Sequence, residues 1–141
     1  LITTGGLGPT ADDLTARLVG DWQGRPSALD PALERRIAAL VERLMARRGW
    51  GADPADVAAG VRKQALVPDG ATVLEPVGTA PGLVVPPAGG REAPPVLVLP
   101  GPPSELQGMW PAALEAPAVR AVLAGAAELR QETVRLWGTL E

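Results

Sequence analysis

The chain has 141 residues, 46% of them apolar, and its 13 basic and 16 acidic side chains give a net charge of −3. It contains neither Cys nor His, which excludes disulfides, thiol nucleophiles, zinc ribbons, iron–sulfur clusters and imidazole bases or ligands. A net negative chain with only 3% aromatic residues also argues against nucleic acid as a partner. Any catalysis must therefore use carboxylates, hydroxyls, arginines, the single Lys63 or a bound cation.

The length and hydropathy pattern predict one domain that lies outside membranes. The longest apolar run, residues 94–100, is far shorter than the roughly 20 residues of a membrane-spanning helix, and no signal segment opens the chain. We therefore expect a cytoplasmic protein without a membrane partner. Residues 1–4 form an apolar strand with no preceding turn, so we expect residues 1–141 to be a single domain that lacks its first part.

Apolar periodicity and start signals predict the elements of the first 70 residues. The predicted strand and helices are residues 1–4, 14–22, 31–49 and 54–65, followed by a turn at 68–70. Asp-Pro pairs at 30–31 and 53–54 combine an N-cap with proline at the first helical position. The charged side chains on the outer face of the long helix, among them Arg43, Arg47 and Arg48, are expected to be solvated.

After residue 70 the pattern changes to short apolar strands. The predicted strands are residues 72–74, 83–85, 96–99 and 132–137, with a loop or hairpin tip at 86–95 and helices at 106–114 and 116–129. Helices that alternate with apolar strands predict an α/β domain with a mostly parallel sheet.

Two predicted strands end in glycine turns that open helices, at residues 3–8 and 99–103. Ligands of open α/β sheets gather at such carboxyl ends, and both turns share one edge if the two strands are parallel. Glycine N–H groups and helix N-termini suit a phosphate. The alternative is that the glycines only allow tight turns.

Asp12 and Asp13 follow the first glycine turn, where a carboxylate can cap a helix or face a ligand. Two adjacent carboxylates beside a phosphate repel it unless a hard cation such as Mg²⁺ bridges the charges. The alternative assigns both to capping and to the helix dipole, at about 1 kcal/mol per cap. Glu105, at the start of another helix, is a candidate for the same crevice or for the dipole alone. Lys63 is either a phosphate contact or a solvated side chain.

Residues 3–15 resemble the signature of the CinA competence/damage-inducible family, within the superfamily of MoaB/MogA-type molybdopterin-binding domains. Further motifs of that family occur in the same order. They are Gln64-Ala65 ahead of Pro-Asp-Gly-Ala at 68–71, Gly-Thr-Ala-Pro-Gly at 78–82 and Leu-Pro-Gly-Pro-Pro-Ser-Glu at 99–105. The chain departs from the family at Val61 and Glu75, where Asn is usual.

The resemblance implies a three-layer α/β domain like those of molybdopterin-binding proteins. In the CinA branch it implies divalent-metal-dependent hydrolysis of ADP-ribose, a nucleotide diphosphate sugar, to AMP and ribose 5-phosphate. On this basis Asp12 and Asp13 are the expected catalytic and metal-binding residues. The expected phosphate- or ligand-binding residues are Gly5, Gly6, Gly8, Thr10, Gly101 and Glu105. The alternative function is a non-catalytic module that binds molybdopterin or a nucleotide phosphate, and a structural role in a homo-oligomer is a third.

Overall fold

The computed structural model describes residues 1–49, 51–127, 130–135 and 137–138. The strands are β1 (Ile2–Thr4), β2 (Ser27–Leu29), β3 (Leu66–Pro68), β4 (Thr72–Leu74), β5 (Gly82–Val85) and β6 (Val96–Leu99). The helices are α1 (Thr15–Gln23), α2 (Pro31–Arg48), α3 (Pro54–Gln64), α4 (Pro103–Glu115) and α5 (Pro117–Leu123). Within these ranges, no helix has the length and apolar character that crossing a membrane requires.

The two long helices begin at the predicted caps. The Asp30 carboxylate accepts hydrogen bonds from the N–H groups of Ala32 and Leu33, each at 2.9 Å. The Asp53 carboxylate accepts one from Ala55 at 2.8 Å. Proline follows each cap at the first helical position. It lacks an N–H group, but no hydrogen bond is lost, because an N–H at this position has no acceptor within the helix. Local sequence therefore determines where α2 and α3 start.

The main sheet has four strands in the order β1-β6-β5-β4. β1 and β6 are parallel, with Ile2 opposite Leu97 and Thr4 opposite Leu99, which confirms that the two glycine turns leave the same edge. β5 is antiparallel to both β6 and β4, so the sheet is mixed where a mostly parallel sheet was expected. The loops at 75–81 and 86–95 are too short for the parallel crossover, which needs a dozen or more residues.

Helices cover both faces of this sheet, so the predicted three-layer α/β class is confirmed. On one face Leu99 packs in a buried cluster with Met109 of α4. On the other face Val98 and Leu7 lie in a second cluster, against which Val19 of α1 packs. Neighbouring residues of β6 thus point to opposite layers, as strand geometry requires.

A two-stranded antiparallel ribbon of β2 and β3 lies outside the main sheet and is absent from the sequence prediction. It accompanies a third core between α2 and α3, where Leu33 and Ile37 are fully buried beside Val61 and Ala65. Val61, one of the two departures from the family pattern, is therefore a core side chain.

Two predictions for the last part of the chain are wrong in the described residues. α5 ends at Leu123 and a turn follows, although the pattern predicts a helix to residue 129; residues 128 and 129 lie outside the described ranges. Residues 132–135 and Trp137 form no strand, and residue 136 lies outside the described ranges. A strand needs a neighbouring strand for its backbone hydrogen bonds, and alternating apolar and polar residues do not by themselves provide one. The side chain of Trp137 is 91% exposed.

Candidate functional site

The two glycine turns meet at the carboxyl ends of β1 and β6. The Gly5 N–H donates a 2.9 Å hydrogen bond to the Leu99 carbonyl, and a Cβ on Gly101 would lie 3.8 Å from the Gly5 Cα. Gly5 and Gly6 have φ values of +85° and +68°, which side-chain-bearing residues rarely adopt. Since the sheet uses the Gly5 N–H, this glycine shapes the turn and leaves no N–H for a ligand.

Asp13 folds back onto the glycine loop, residues 5–10. Its Oδ2 accepts hydrogen bonds from the Thr10 hydroxyl at 2.6 Å and from the Thr10 N–H at 3.0 Å. No carboxylate caps α1, whose N-cap residue is Leu14, so the capping alternative is wrong for both aspartates. A Cβ on Gly8 would lie 2.4 Å from Oδ2, so the close approach of Asp13 requires a glycine there.

These contacts keep Asp13 ionised. The Thr10 hydroxyl is the strongest influence that lowers the pKa of Asp13 from its ordinary value of 3.8. Burial opposes this shift, while the N–H groups of Gly8 and Thr10 and the charge of Lys63 also lower the pKa. The Gly8 and Thr10 N–H groups, expected to bind phosphate, thus face the chain's own carboxylate.

One hydroxyl contacts both aspartates. Thr10 Oγ1 lies 2.6 Å from Asp12 Oδ1 and 2.6 Å from Asp13 Oδ2. A hydroxyl has a single hydrogen, so it donates to one carboxylate at a time and its lone pairs face the other. Oxygen ligands in this arrangement fit a hard cation such as Mg²⁺. In the described part of the chain no three Asp or Glu side chains form a metal-binding group, so further ligands would be water or substrate.

Helix α3 holds the glycine loop from one side. The Lys63 ammonium donates to the Thr10 carbonyl, and the Gln64 side-chain amide donates to the Leu7 carbonyl at 3.0 Å. Gly60, one turn earlier, allows the approach, because a Cβ there would lie 2.7 Å from a side-chain carbon of the loop. Sequence reasoning missed this support. The available signal was the i, i+3, i+4 spacing, which places these three α3 residues on one face.

A cleft of about 250 Å³ opens beside the loop, and we call it the glycine-loop cleft. Its lining is largely apolar, and its polar side chains include Asp13, Arg17, Lys63 and Gln64. The first N–H group of α1, that of Thr15, donates to the Gly6 carbonyl at 3.1 Å. The next two, those of Ala16 and Arg17, have no partner within the described residues, because a helix start has no intrahelical partners and this one has no side-chain cap. The start of α1 also lines the cleft, so partial positive charge lies beside two full positive charges.

Glu105 lies in a separate cleft of about 500 Å³, between the end of α2 and the loop at 75–81. The structure therefore brings most of the predicted site residues together. Gly5, Gly6, Gly8 and Thr10 lie in the glycine loop, Asp12 and Asp13 contact it through Thr10, and Gly101 lies against it. It places Glu105 apart from the cleft that Asp13 lines. Arg17 and Gln64 join the site without having been predicted.

Comparison with known proteins adds two kinds of similarity. A family model described as "Probable molybdopterin binding domain" matches residues 1–121. A "CinA-like protein" of Mycolicibacterium gilvum (strain PYR-GCK) is 56% identical over 141 residues, and one of Mycobacterium tuberculosis (strain ATCC 25177 / H37Ra) is 49% identical over 144 residues. Each match covers 100% of this chain and 32% of the relative, so the chain spans about a third of the curated relatives it matches.

A solved structure is similar as well. It is a crystal structure of the protein CinA, described as of unknown function, from Thermoplasma acidophilum. The two chains share 30% sequence identity with a TM-score of 0.52. The similar region covers 84% of this chain and 61% of that one.

Proposed function

This chain belongs to the family of probable molybdopterin-binding domains and corresponds to that part of CinA-like proteins, and from that premise we propose a metal-dependent hydrolase. Its substrate in this proposal is a nucleotide diphosphate sugar of the ADP-ribose type, which binds in the glycine-loop cleft. The observation that carries the proposal is the uncapped start of α1, which opens into the same cleft as Asp13, Arg17 and Lys63.

Binding of the diphosphate follows from these charges. Unpaired N–H groups at a helix start attract anions, and α1 offers those of Ala16 and Arg17, with no carboxylate in the capping position. The Arg17 guanidinium adds planar donors for phosphate oxygens. The apolar part of the lining, which includes Leu14, Leu66 and Leu83, suits a flat ring such as adenine.

Hydrolysis is assigned to the Thr10 side of the loop. Asp12, Thr10 and Asp13 present oxygen atoms around one point and would hold a divalent cation. When bound, such a cation would supply charge neutralisation and an activated water for hydrolysis of the phosphoanhydride bond of the diphosphate. The Lys63 contact with the Thr10 carbonyl keeps these oxygens in place. Since the chain contains no Cys or His, water is the expected nucleophile.

The second candidate is a binding module that holds molybdopterin or a nucleotide phosphate without cleaving it. The family match favours it, because the description of that family names binding and no reaction. Both candidates use the same cleft and the same helix start. They differ in whether Asp12 and Asp13 support turnover.

The test uses the complete protein with ADP-ribose and Mg²⁺. Phosphorus NMR follows the conversion to AMP and ribose 5-phosphate, and calorimetry in chelator measures binding alone. Arg17→Gln is expected to weaken ADP-ribose binding about tenfold, through loss of a charge-assisted contact. Arg35→Gln removes the same charge from an exposed position on α2 and is expected to change nothing. Binding of ADP-ribose without turnover would favour the binding module over the hydrolase. Equal ADP-ribose affinity of Arg17→Gln and Arg35→Gln would show that the ligand does not bind in this cleft.

A further inference from the structure

The cleft that contains Glu105 is lined by three arginines. Arg43, Arg47 and Arg48 line it from the last turns of α2 and face the loop residues 77–79 across about 500 Å³. Arg43 and Arg47 are four positions apart and so project from one face of the helix. Among the described residues the side chain of Arg47 makes no hydrogen bond or ion pair, and the side chain of Arg43 bonds only the carbonyl of its own helix residue Ala39, at 3.1 Å.

This local charge opposes that of the whole chain. The cleft is lined by three arginines and one carboxylate, whereas the net charge of the chain is −3. Like charges one turn apart on a helix destabilise it unless a counter-charge binds. Elsewhere on α2 an arginine has such a partner, since Arg36 lies 3.4 Å from Glu75. A phosphate would serve Arg43 and Arg47 in the same way, because guanidinium groups donate in pairs to its oxygens.

Glu105 supplies the opposite kind of group. It is half-buried in the first turn of α4, with its carboxylate against Gly78, where a Cβ would lie 2.4 Å from Oε1. No ion pair in the described part of the chain joins it to Arg43 or Arg47. A carboxylate so placed accepts hydrogen bonds from sugar hydroxyls, as acidic residues do for ribose in nucleotide sites. The arginine pair and the Glu105 carboxylate together therefore suit a molecule that carries both a phosphate and hydroxyl groups.

We propose that this arginine cleft is a second ligand site that takes a sugar phosphate. Arg43 and Arg47 bind the phosphate, and Glu105 accepts a hydrogen bond from a hydroxyl of the sugar. The site lies apart from Asp13 and the glycine-loop cleft. It goes beyond the proposed function, since binding here requires neither a divalent cation nor hydrolysis.

The experiment is calorimetric titration of the complete protein in chelator, with ribose 5-phosphate, inorganic phosphate and ribose as probes. Ribose 5-phosphate is expected to bind more tightly than inorganic phosphate, and ribose to bind weakest. Arg47→Gln should weaken ribose 5-phosphate binding about tenfold, and adding Arg43→Gln should weaken it further. Arg35→Gln, an exposed arginine of the same helix outside the cleft, is the matched control and should leave binding unchanged.

Glu105→Ala separates the sugar contact from the phosphate contact. It should abolish the preference for ribose 5-phosphate over inorganic phosphate without weakening inorganic phosphate, because a repelling carboxylate is lost. Equal binding of the two probes by the unaltered protein would overturn the proposal. So would loss of binding in Arg17→Gln but not in Arg47→Gln, which would place the ligand in the glycine-loop cleft. These results leave the metal-dependent hydrolysis untouched, because chelator is present throughout.

Discussion

The side-chain amide of Gln64 donates a 3.0 Å hydrogen bond to the carbonyl oxygen of Leu7, and both residues are buried. The bond joins the end of α3 to the glycine loop across 57 positions of sequence. Lys63 makes a second bond to the same loop, at the Thr10 carbonyl. The shape of the candidate site thus depends on a helix that contributes no predicted catalytic residue.

Replacing Gln64 should therefore destabilise the protein. Gln64→Ala leaves the buried Leu7 carbonyl without its donor and is expected to lower the free energy of unfolding by about 1–3 kcal/mol. Urea denaturation measures the change. Gln107→Ala is the control, because Gln107 is exposed on α4 and its side chain makes no hydrogen bond within the described residues. Its expected effect is within about 0.5 kcal/mol, and equal losses in both variants would contradict the proposed support.

Two glycines with similar backbone angles should respond differently to alanine. Gly6 and Gly49 have φ values of +68° and +63°, so each alanine variant should lose about 1–2 kcal/mol from left-handed strain. A Cβ on Gly6 would also lie 2.1 Å from Thr15 Oγ1, whereas at Gly49 no atom of the described residues is found within 4 Å. We expect Gly6→Ala to be the more destabilising of the two in urea denaturation.

The excess loss should come from the contact with Thr15. Adding Thr15→Ala to Gly6→Ala removes the overlapping oxygen, so the double variant should recover part of the difference from Gly49→Ala. The single variant Thr15→Ala sets the baseline for this comparison. If the double variant loses as much free energy of unfolding as the two single variants together, steric overlap is not the cause.

The parts of the fold that follow from short-range chemistry were predictable. Asp30 and Asp53 cap their helices as their Asp-Pro pairs indicate. The parallel β1 and β6 were predictable because each strand runs into a glycine turn and then a helix. The ribbon of β2 and β3 was not, since its two short strands lie beside predicted helices and form only by pairing with each other across distant parts of the sequence.

The candidate site divides in the same way. Its glycine positions follow from the motif, but the sequence left open whether Asp13 caps α1 or faces a ligand, and it did not predict the contact of Asp13 with the loop. The answer depends on Thr10, whose hydroxyl and N–H both reach the carboxylate. Glu105 lies in the first turn of its helix, where the sequence predicted a residue of the same crevice as Asp13. In the structure it lines a different cleft, together with the loop at 75–81. Such side-chain directions depend on packing between elements, which local pattern does not determine.

Acid should weaken the contribution of Asp13 to stability. Its folded-state pKa lies below the ordinary value of 3.8, first because of the Thr10 hydroxyl. A carboxylate with a lowered folded pKa stabilises the fold fully above its unfolded pKa, and this contribution is lost as the pH falls through the folded pKa. The free-energy difference between the unaltered protein and Asp13→Asn should therefore shrink as the pH falls below 3.8.

Urea denaturation at a series of acidic pH values measures that difference, and carbon NMR of the Asp13 carboxyl gives its pKa directly. Thr10→Val removes the hydroxyl and keeps the N–H, so it should raise the Asp13 pKa toward 3.8. A difference that stays constant with pH, or an unchanged pKa in Thr10→Val, would show that the hydroxyl does not govern this carboxylate.

Asp12 gives the cleanest test of the proposed metal chemistry. It is exposed and its side chain bonds the Thr10 hydroxyl, so Asp12→Asn removes a charge from the surface of the loop and should leave the fold intact. Loss of an anionic oxygen ligand should weaken Mg²⁺ binding about tenfold or more in calorimetric titration. Hydrolysis of ADP-ribose by the complete protein should fall about 100-fold, stop in chelator and return with Mg²⁺.

Asp69→Asn makes the same charge change at an exposed turn and should alter neither Mg²⁺ affinity nor hydrolysis. Turnover that survives chelator would refute the cation mechanism, and unchanged Mg²⁺ affinity in Asp12→Asn would leave this carboxylate with a role in the loop alone.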